Sequence, residues 1–126
     1  LERPVPVLHF HGTEDPFVPS AGGFGARSTS RTNFRSVAQT METWIELNQC
    51  QETPRTDLLS TAGGLRVTRQ SYAPGPSGAE IVLVLIEGGG HTWPGQRSPA
   101  RVLGKSTVGI SANDLMWEFF EKHRLP

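Results

Sequence analysis

The sequence predicts an α/β protein, built as the closing portion of a three-layer sandwich of helices around a mostly parallel sheet. Two observations carry that class. The hydrophobic periodicities run strand, helix, hairpin, helix, the alternation from which layered α/β folds are made. Within the hairpin, Ile81 to Ile86 reads Ile-Val-Leu-Val-Leu-Ile, apolar at every position. A strand without alternation is covered on both faces, the mark of an interior strand in such a sheet.

The elements follow in order. Val5 to His11 is a strand, with prolines before it and Gly12 after it. Pro6 belongs near its start, where a missing N–H is tolerated. Gly12 to Pro19 is a loop, because Asp15-Pro16 and Val18-Pro19 discourage helix. Ser20 to Thr32 is rich in Gly, Ser and Arg, lacks periodicity, and reads as a solvated surface loop. Arg27, Arg31 and Arg35 lie four apart there and would otherwise line one helix face as an anion contact. Ser36 and Gln39 have capping-box spacing. Val37, Met41, Trp44 and Ile45 then mark one face of a helix that ends near Asn48.

Gln49 to Gly64, polar and containing Pro54 and Gly63-Gly64, reads as a connection. Leu65 to Tyr72 and Glu80 to Glu87 are two strands of an antiparallel hairpin around Pro74, Gly75, Pro76 and Gly78. Gly88 to Gly109 is a long loop, of a length that is usually functional or disordered. Ser111 and Asp114 open a last helix, with Ala112, Leu115, Met116, Phe119, Phe120 and His123 on one stripe. Lys122 and Arg124 complement its C-terminal dipole, and Pro126 lies beyond it.

The chain has 126 residues, enough for one domain. At 36% hydrophobic, its core is thin for a domain standing alone. Three strands would leave helix and sheet faces uncovered, and the chain starts abruptly at a strand. Residues 1–126 are therefore expected to be the C-terminal portion of a single domain. Twelve basic residues balance twelve acidic ones, so no net field draws in nucleic acid or an anionic membrane. The longest apolar run is too short to span a bilayer. A single cysteine, Cys50, excludes an internal disulfide.

Two loops carry the chemistry, and each follows a strand. The first contains Asp15; the second is Gly88-Gly89-Gly90-His91-Thr92-Trp93-Pro94-Gly95. Sites in open α/β sheets form outside the carboxyl ends of the strands. If the two strands are parallel neighbours, Asp15 and His91 emerge together. The carboxylate can then fix the imidazole tautomer and stabilise the imidazolium formed when a serine gives up its proton. An acid ahead of a histidine, with any serine earlier still, is the chain order of one hydrolase class. A rival reading uses His9-x-His11, on one strand face, with Asp15 and His91 as zinc ligands. A rise of about 3.3 Å per residue leaves His9 about two rungs below the sheet edge, which favours a core histidine with one hydrogen-bond partner.

The segment Pro6-Val-Leu-His-Phe-His-Gly-Thr-Glu-Asp-Pro-Phe-Val-Pro19 closely resembles the C-terminal half of the polyhydroxybutyrate depolymerase/feruloyl esterase family of α/β-hydrolases. So do Glu87-Gly-Gly-Gly-His-Thr-Trp-Pro-Gly95 and Ile110-Ser-Ala-Asn-Asp-Leu-Met-Trp-Glu-Phe-Phe120. The likeness spans nearly the whole chain, and Gly-Gly-His-Thr-Trp-Pro-Gly is its most particular part. It implies the C-terminal part of an α/β-hydrolase sandwich and a serine-type carboxylic ester hydrolase. Asp15 becomes the triad acid, His91 the general base, and Trp93 a residue at the mouth of the substrate pocket, although a Trp that merely pins its loop reads as well. Short-chain, feruloyl or acetyl, and hydroxybutyrate esters are the substrate classes, and a secreted or periplasmic location is implied. No metal or organic cofactor is implied.

Two departures stand out. No Gly-x-Ser-x-Gly nucleophile elbow precedes the Asp15 strand; Gly75-Pro76-Ser77-Gly78 lies between two strands rather than between strand and helix. The family's pairing of a cysteine at the Cys50 position has no second cysteine in Ala73-Pro-Gly-Pro-Ser-Gly78. The isolated chain is therefore expected to be silent. It would be completed by an N-terminal half or another chain at an exposed sheet edge, or be a non-catalytic interaction module.

Overall fold

The computed structural model describes residues 3–124, which leaves Pro126 outside the described residues. The main elements are β1 (Val7–Gly12), α1 (Val37–Asn48), β2 (Arg55–Ser60), β3 (Arg66–Tyr72), β4 (Ile81–Glu87) and α2 (Ala112–Lys122). One sheet takes the order β1-β4-β3-β2. β1 runs parallel to β4, with Val7 opposite Ile81 and Gly12 opposite Ile86. β3 runs antiparallel to both β4 and β2.

The all-apolar strand is interior, as its pattern requires. On one face Ile81 and Leu83 pack with Val37, Met41 and Ile45 of α1 and with Tyr72. On the other, Val82, Val84 and Ile86 pack with Val67, Leu65 and Phe119 of α2. Helix, sheet and helix make three layers of an α/β fold. No described helix is long and apolar enough to cross a membrane.

The local signals for the helices hold. The Ser36 hydroxyl accepts from the Gln39 amide at 3.1 Å, and the Gln39 side chain accepts from the Ser36 amide at 3.0 Å. Ser111 caps α2 through the Asp114 amide at 3.2 Å. At the far end of α2, the largely buried Glu80 carboxylate receives Lys122 at 2.8 Å and faces His123 at 2.9 Å. Burial raises the Glu80 pKa, but these two partners outweigh it and leave it below the ordinary range.

Three expectations are corrected. The connection at 49–64 contains a strand, β2, so the sheet has four strands rather than three. Arg-Thr-Asp-Leu-Leu-Ser is poor in β-formers; pairing makes it a strand, and Asp57 meets its register partner Arg69 at 3.4 Å. Its charges suit a sheet edge. The solvated-loop reading holds for Arg27, Arg31 and Arg35, which are exposed and form no helix face. Phe120 points to solvent at 55% exposure, because Phe119 takes the core position beside it. The long loop from Gly88 is not structureless: Arg101–Leu103 form a 3₁₀ turn, and Gly89 bridges Lys105.

One buried polar side chain fixes where β1 begins. Asn48 ends α1, is 1% exposed, donates to the Val5 carbonyl at 2.7 Å and accepts from the Val5 amide at 3.1 Å. Removing it leaves both backbone groups of Val5 without these partners. Asn48→Ala is expected to destabilise the fold by about 1–3 kcal/mol, read as a lower midpoint in urea at an unchanged slope.

Candidate active site

The site begins where β1 and β4 stop. Beyond their last paired rung the chains are stitched by backbone groups. Thr13 donates to the Ile86 carbonyl at 3.0 Å and Glu14 to the Gly89 carbonyl at 2.9 Å. The Thr13 hydroxyl accepts from Gly88 at 2.8 Å. This approach depends on Gly12, where a Cβ would overlap the Gly89 carbonyl. On the far side, Gly90 donates to Lys105 at 2.8 Å and His91 to Leu103 at 2.7 Å. A Cβ on Gly90 would overlap the Leu103 carbonyl.

Asp15 and His91 meet at this edge. The Nδ1 of His91 lies 2.8 Å from one Asp15 carboxylate oxygen. The other oxygen accepts from the amides of Phe17 and Val18, each at 2.9 Å. Pro16 has no N–H, so the turn offers its next two amides to the acid. The Asp15 side chain is 6% exposed and that of His91 50%. Burial by itself raises the Asp15 pKa; the Val18 amide, the His91 hydrogen bond, the Phe17 amide and the His91 charge together bring it below its ordinary value. The carboxylate is thus held ionised and aimed at one ring nitrogen. Because it only accepts, His91 carries its proton on Nδ1 and presents Nε2 as a free base.

Nε2 makes no hydrogen bond among the described residues. His91 lines a cleft of about 610 Å³ together with Trp93, Pro94, Arg97, Leu103 and Thr107. No serine is among the lining residues. The Phe17 ring sits 5.4 Å from the His91 ring, centroid to centroid, and limits its tilt. Trp93 lines the same cleft. Its indole N–H donates to Asn113 of α2 at 2.9 Å and its ring lies 6.2 Å from Phe10, so it also pins the loop.

His9, His11, Asp15 and His91 line one cleft but do not gather around a common point. His9 Nε2 lies 3.2 Å from His11 Nδ1, and His11 Nε2 lies 2.9 Å from the Val18 carbonyl. Among the described residues no three His, Cys, Asp or Glu side chains gather as a metal ligand set. Sequence reasoning overlooked Thr13, Asn113 and the 103–105 backbone. Only Thr13 had a local signal, its place between Gly12 and the acid.

No protein-family model matches the chain. It is 31% identical over 127 residues to a protein named "Putative esterase NocK" from Nocardia uniformis subsp. tsuyamanensis, covering 92% of this chain and 37% of that protein. It is 29% identical over 90 residues to feruloyl esterase B from Piromyces equi, covering 71% of this chain and 16% of that protein. The chain spans well under half the length of both relatives. Both relatives carry esterase names, and this chain is similar to a part of each.

The depressed Asp15 pKa has a definite sign. A carboxyl more acidic when folded contributes stability that is complete above its ordinary value of 3.8 and is lost as pH falls through the lower folded value. Titration of the ¹³C carboxyl shift of Asp15 should therefore show a midpoint below 3.8. A midpoint at or above it would mean that the turn amides and His91 do not hold the anion.

Proposed function

We propose that this chain supplies the acid and the base of a Ser–His–Asp triad in a carboxylic ester hydrolase. It would form the C-terminal portion of one α/β-hydrolase domain, with the serine coming from a segment outside these residues. The observation that carries the reading is the 2.8 Å bond between Asp15 and His91, with His91 on the wall of an open cleft. In the reaction, Nε2 takes the proton of the serine hydroxyl as its oxygen attacks the ester carbonyl. It then gives that proton to the departing alcohol, leaving an acyl-enzyme. Water, deprotonated by the same nitrogen, releases the acid. Asp15 keeps the ring oriented and stabilises the imidazolium between steps. The amides that stabilise the oxyanion would come from the residue after the nucleophile and from an early loop, both outside these residues.

Two features favour a partner segment along β1. β1 ends the sheet, and its outer edge pairs with no strand among the described residues. Val-Leu-His-Phe-His-Gly also lacks the charges that guard the opposite edge at Arg55 and Asp57. A strand added there would deliver its C-terminal loop beside His91. Trp93, on the cleft rim, is the proposed substrate contact, and the substrate is a short-chain, feruloyl or acetyl, or hydroxybutyrate ester.

The 126-residue chain is expected to hydrolyse p-nitrophenyl acetate no faster than an inert protein. The longer protein that contains it should turn the ester over. In that protein Asp15→Asn should lower kcat by about 10⁴-fold, and His91→Ala by at least as much. Activity retained after His91→Ala would remove this histidine from the triad, and saturable turnover by the short chain would place the nucleophile inside it.

A further inference from the structure

Two imidazoles that the proposed triad does not use line the same cleft. His9 and His11 project from the same face of β1, two residues apart, with their rings stacked at 5.4 Å and 13°. Their nitrogens form a chain whose direction is dictated by its last member. The Val18 carbonyl can only accept, so His11 Nε2 must carry a proton. A neutral His11 then has a bare Nδ1, and His9 Nε2, 3.2 Å away, must be the donor. Beyond the carbonyl, the amide of the same residue, Val18, donates to Asp15. Val18 is thus held at both polar groups, by His11 on one side and by the catalytic acid on the other.

We propose that His11 is a positioning residue for the triad acid, and that His9 selects the tautomer in which His11 can do this. His11 fixes Val18, Val18 and Phe17 fix the Asp15 carboxylate, and Asp15 fixes His91. The rest of the turn is held elsewhere, by Arg27 on the Pro16 carbonyl at 2.9 Å and by Ser20 on the Thr13 carbonyl at 3.1 Å. Neither of those reaches Val18. Burial first, and then the neighbouring His11, keep the His9 imidazole below its ordinary pKa, so it remains neutral as the chain requires. The inference rests on the triad reading for its consequence in catalysis but not for its geometry.

The test separates the two. Long-range ¹H–¹⁵N spectra of the ¹⁵N-histidine-labelled protein identify the protonated nitrogen of each ring. The expected pattern is Nε2–H on His9 and on His11 and Nδ1–H on His91. A His11 ring protonated only at Nδ1 would overturn the proposal without any variant. His11→Phe, folded by circular dichroism, should leave His91 averaging between its tautomers. His11→Gln, which keeps an N–H near the Nε2 position, should restore a single Nδ1–H form. His9→Phe should let His11 populate both tautomers. If His11→Phe does not fold, the Gln and His9 variants decide: His11 unchanged by His9→Phe overturns the role of His9, and His91 averaging in folded His11→Gln overturns that of His11. A His91 tautomer unaltered in folded His11→Phe also overturns the proposal. In the longer esterase, His11→Phe should lower kcat about 10²-fold with KM little changed, and His11→Gln should recover most of it. Full activity of His91→Ala there would end the triad reading while leaving the tautomer result standing.

Discussion

Everything at the site depends on the parallel pairing of β1 with β4. Parallel strands leave the sheet in the same direction, so both following loops open at one edge. Six paired residues at about 3.3 Å each make a span near 20 Å, and an antiparallel β1 would put its loop that far from His91. The pairing is itself fixed by burial. Phe10 and Leu8 pack against the α2 side, while Val7 joins the cluster under α1. A slip of one residue would reverse every one of these side chains.

The edge then separates two electrostatic environments a few ångströms apart. The acid is nearly enclosed and takes three hydrogen bonds, two from backbone amides and one from an imidazole. Stripping a carboxylate of water costs several kcal/mol, and charge-assisted bonds of this kind return about 1.5–3 kcal/mol each. The carboxylate remains an anion because its replacements for water are built into the turn. His91 is half exposed, and its Nδ1 is the nitrogen turned to the acid. A proton acceptor has to meet an incoming group, whereas an orienting anion does not.

Much of this was legible in the sequence because it is encoded locally. Ser36 and Gln39 announced the start of α1 by their spacing, and the unbroken apolar run of β4 announced an interior strand. The acid and base could be paired on paper because each follows a strand at the carboxyl edge. The parts that were not legible are those that depend on register. Arg55–Ser60 has no strand pattern of its own and becomes β2 only when Asp57 comes opposite Arg69. Phe119 and Phe120 are alike in sequence, and only the rotation of α2 against the sheet decides which is buried. Asn48 looked like the polar end of a helix, because its partner is a backbone 43 residues away. The two histidines of β1 were read as a strand-face pair, one of them a core residue with a single partner. That partner proved to be the other histidine, and the value of the pair lies in the carbonyl at its end.

The contacts that set Asp15 against His91 are mostly backbone hydrogen bonds and glycine-permitted close approaches. They run from Gly12 and Thr13 to Ile86–Gly90, and from Gly90 and His91 to Leu103 and Lys105. All of them lie within this chain, so the acid and base need no other segment to find their relative geometry. Under the proposed triad reading, Nε2 of His91 is the atom that would take the nucleophile's proton. A nucleophile brought along the free edge of β1 would therefore meet a base already oriented. Its own segment would have to supply only the serine and the amides around the oxyanion. Under the proposed triad reading, the proton-handling pair is preorganised by backbone groups of this chain that are close enough to bond.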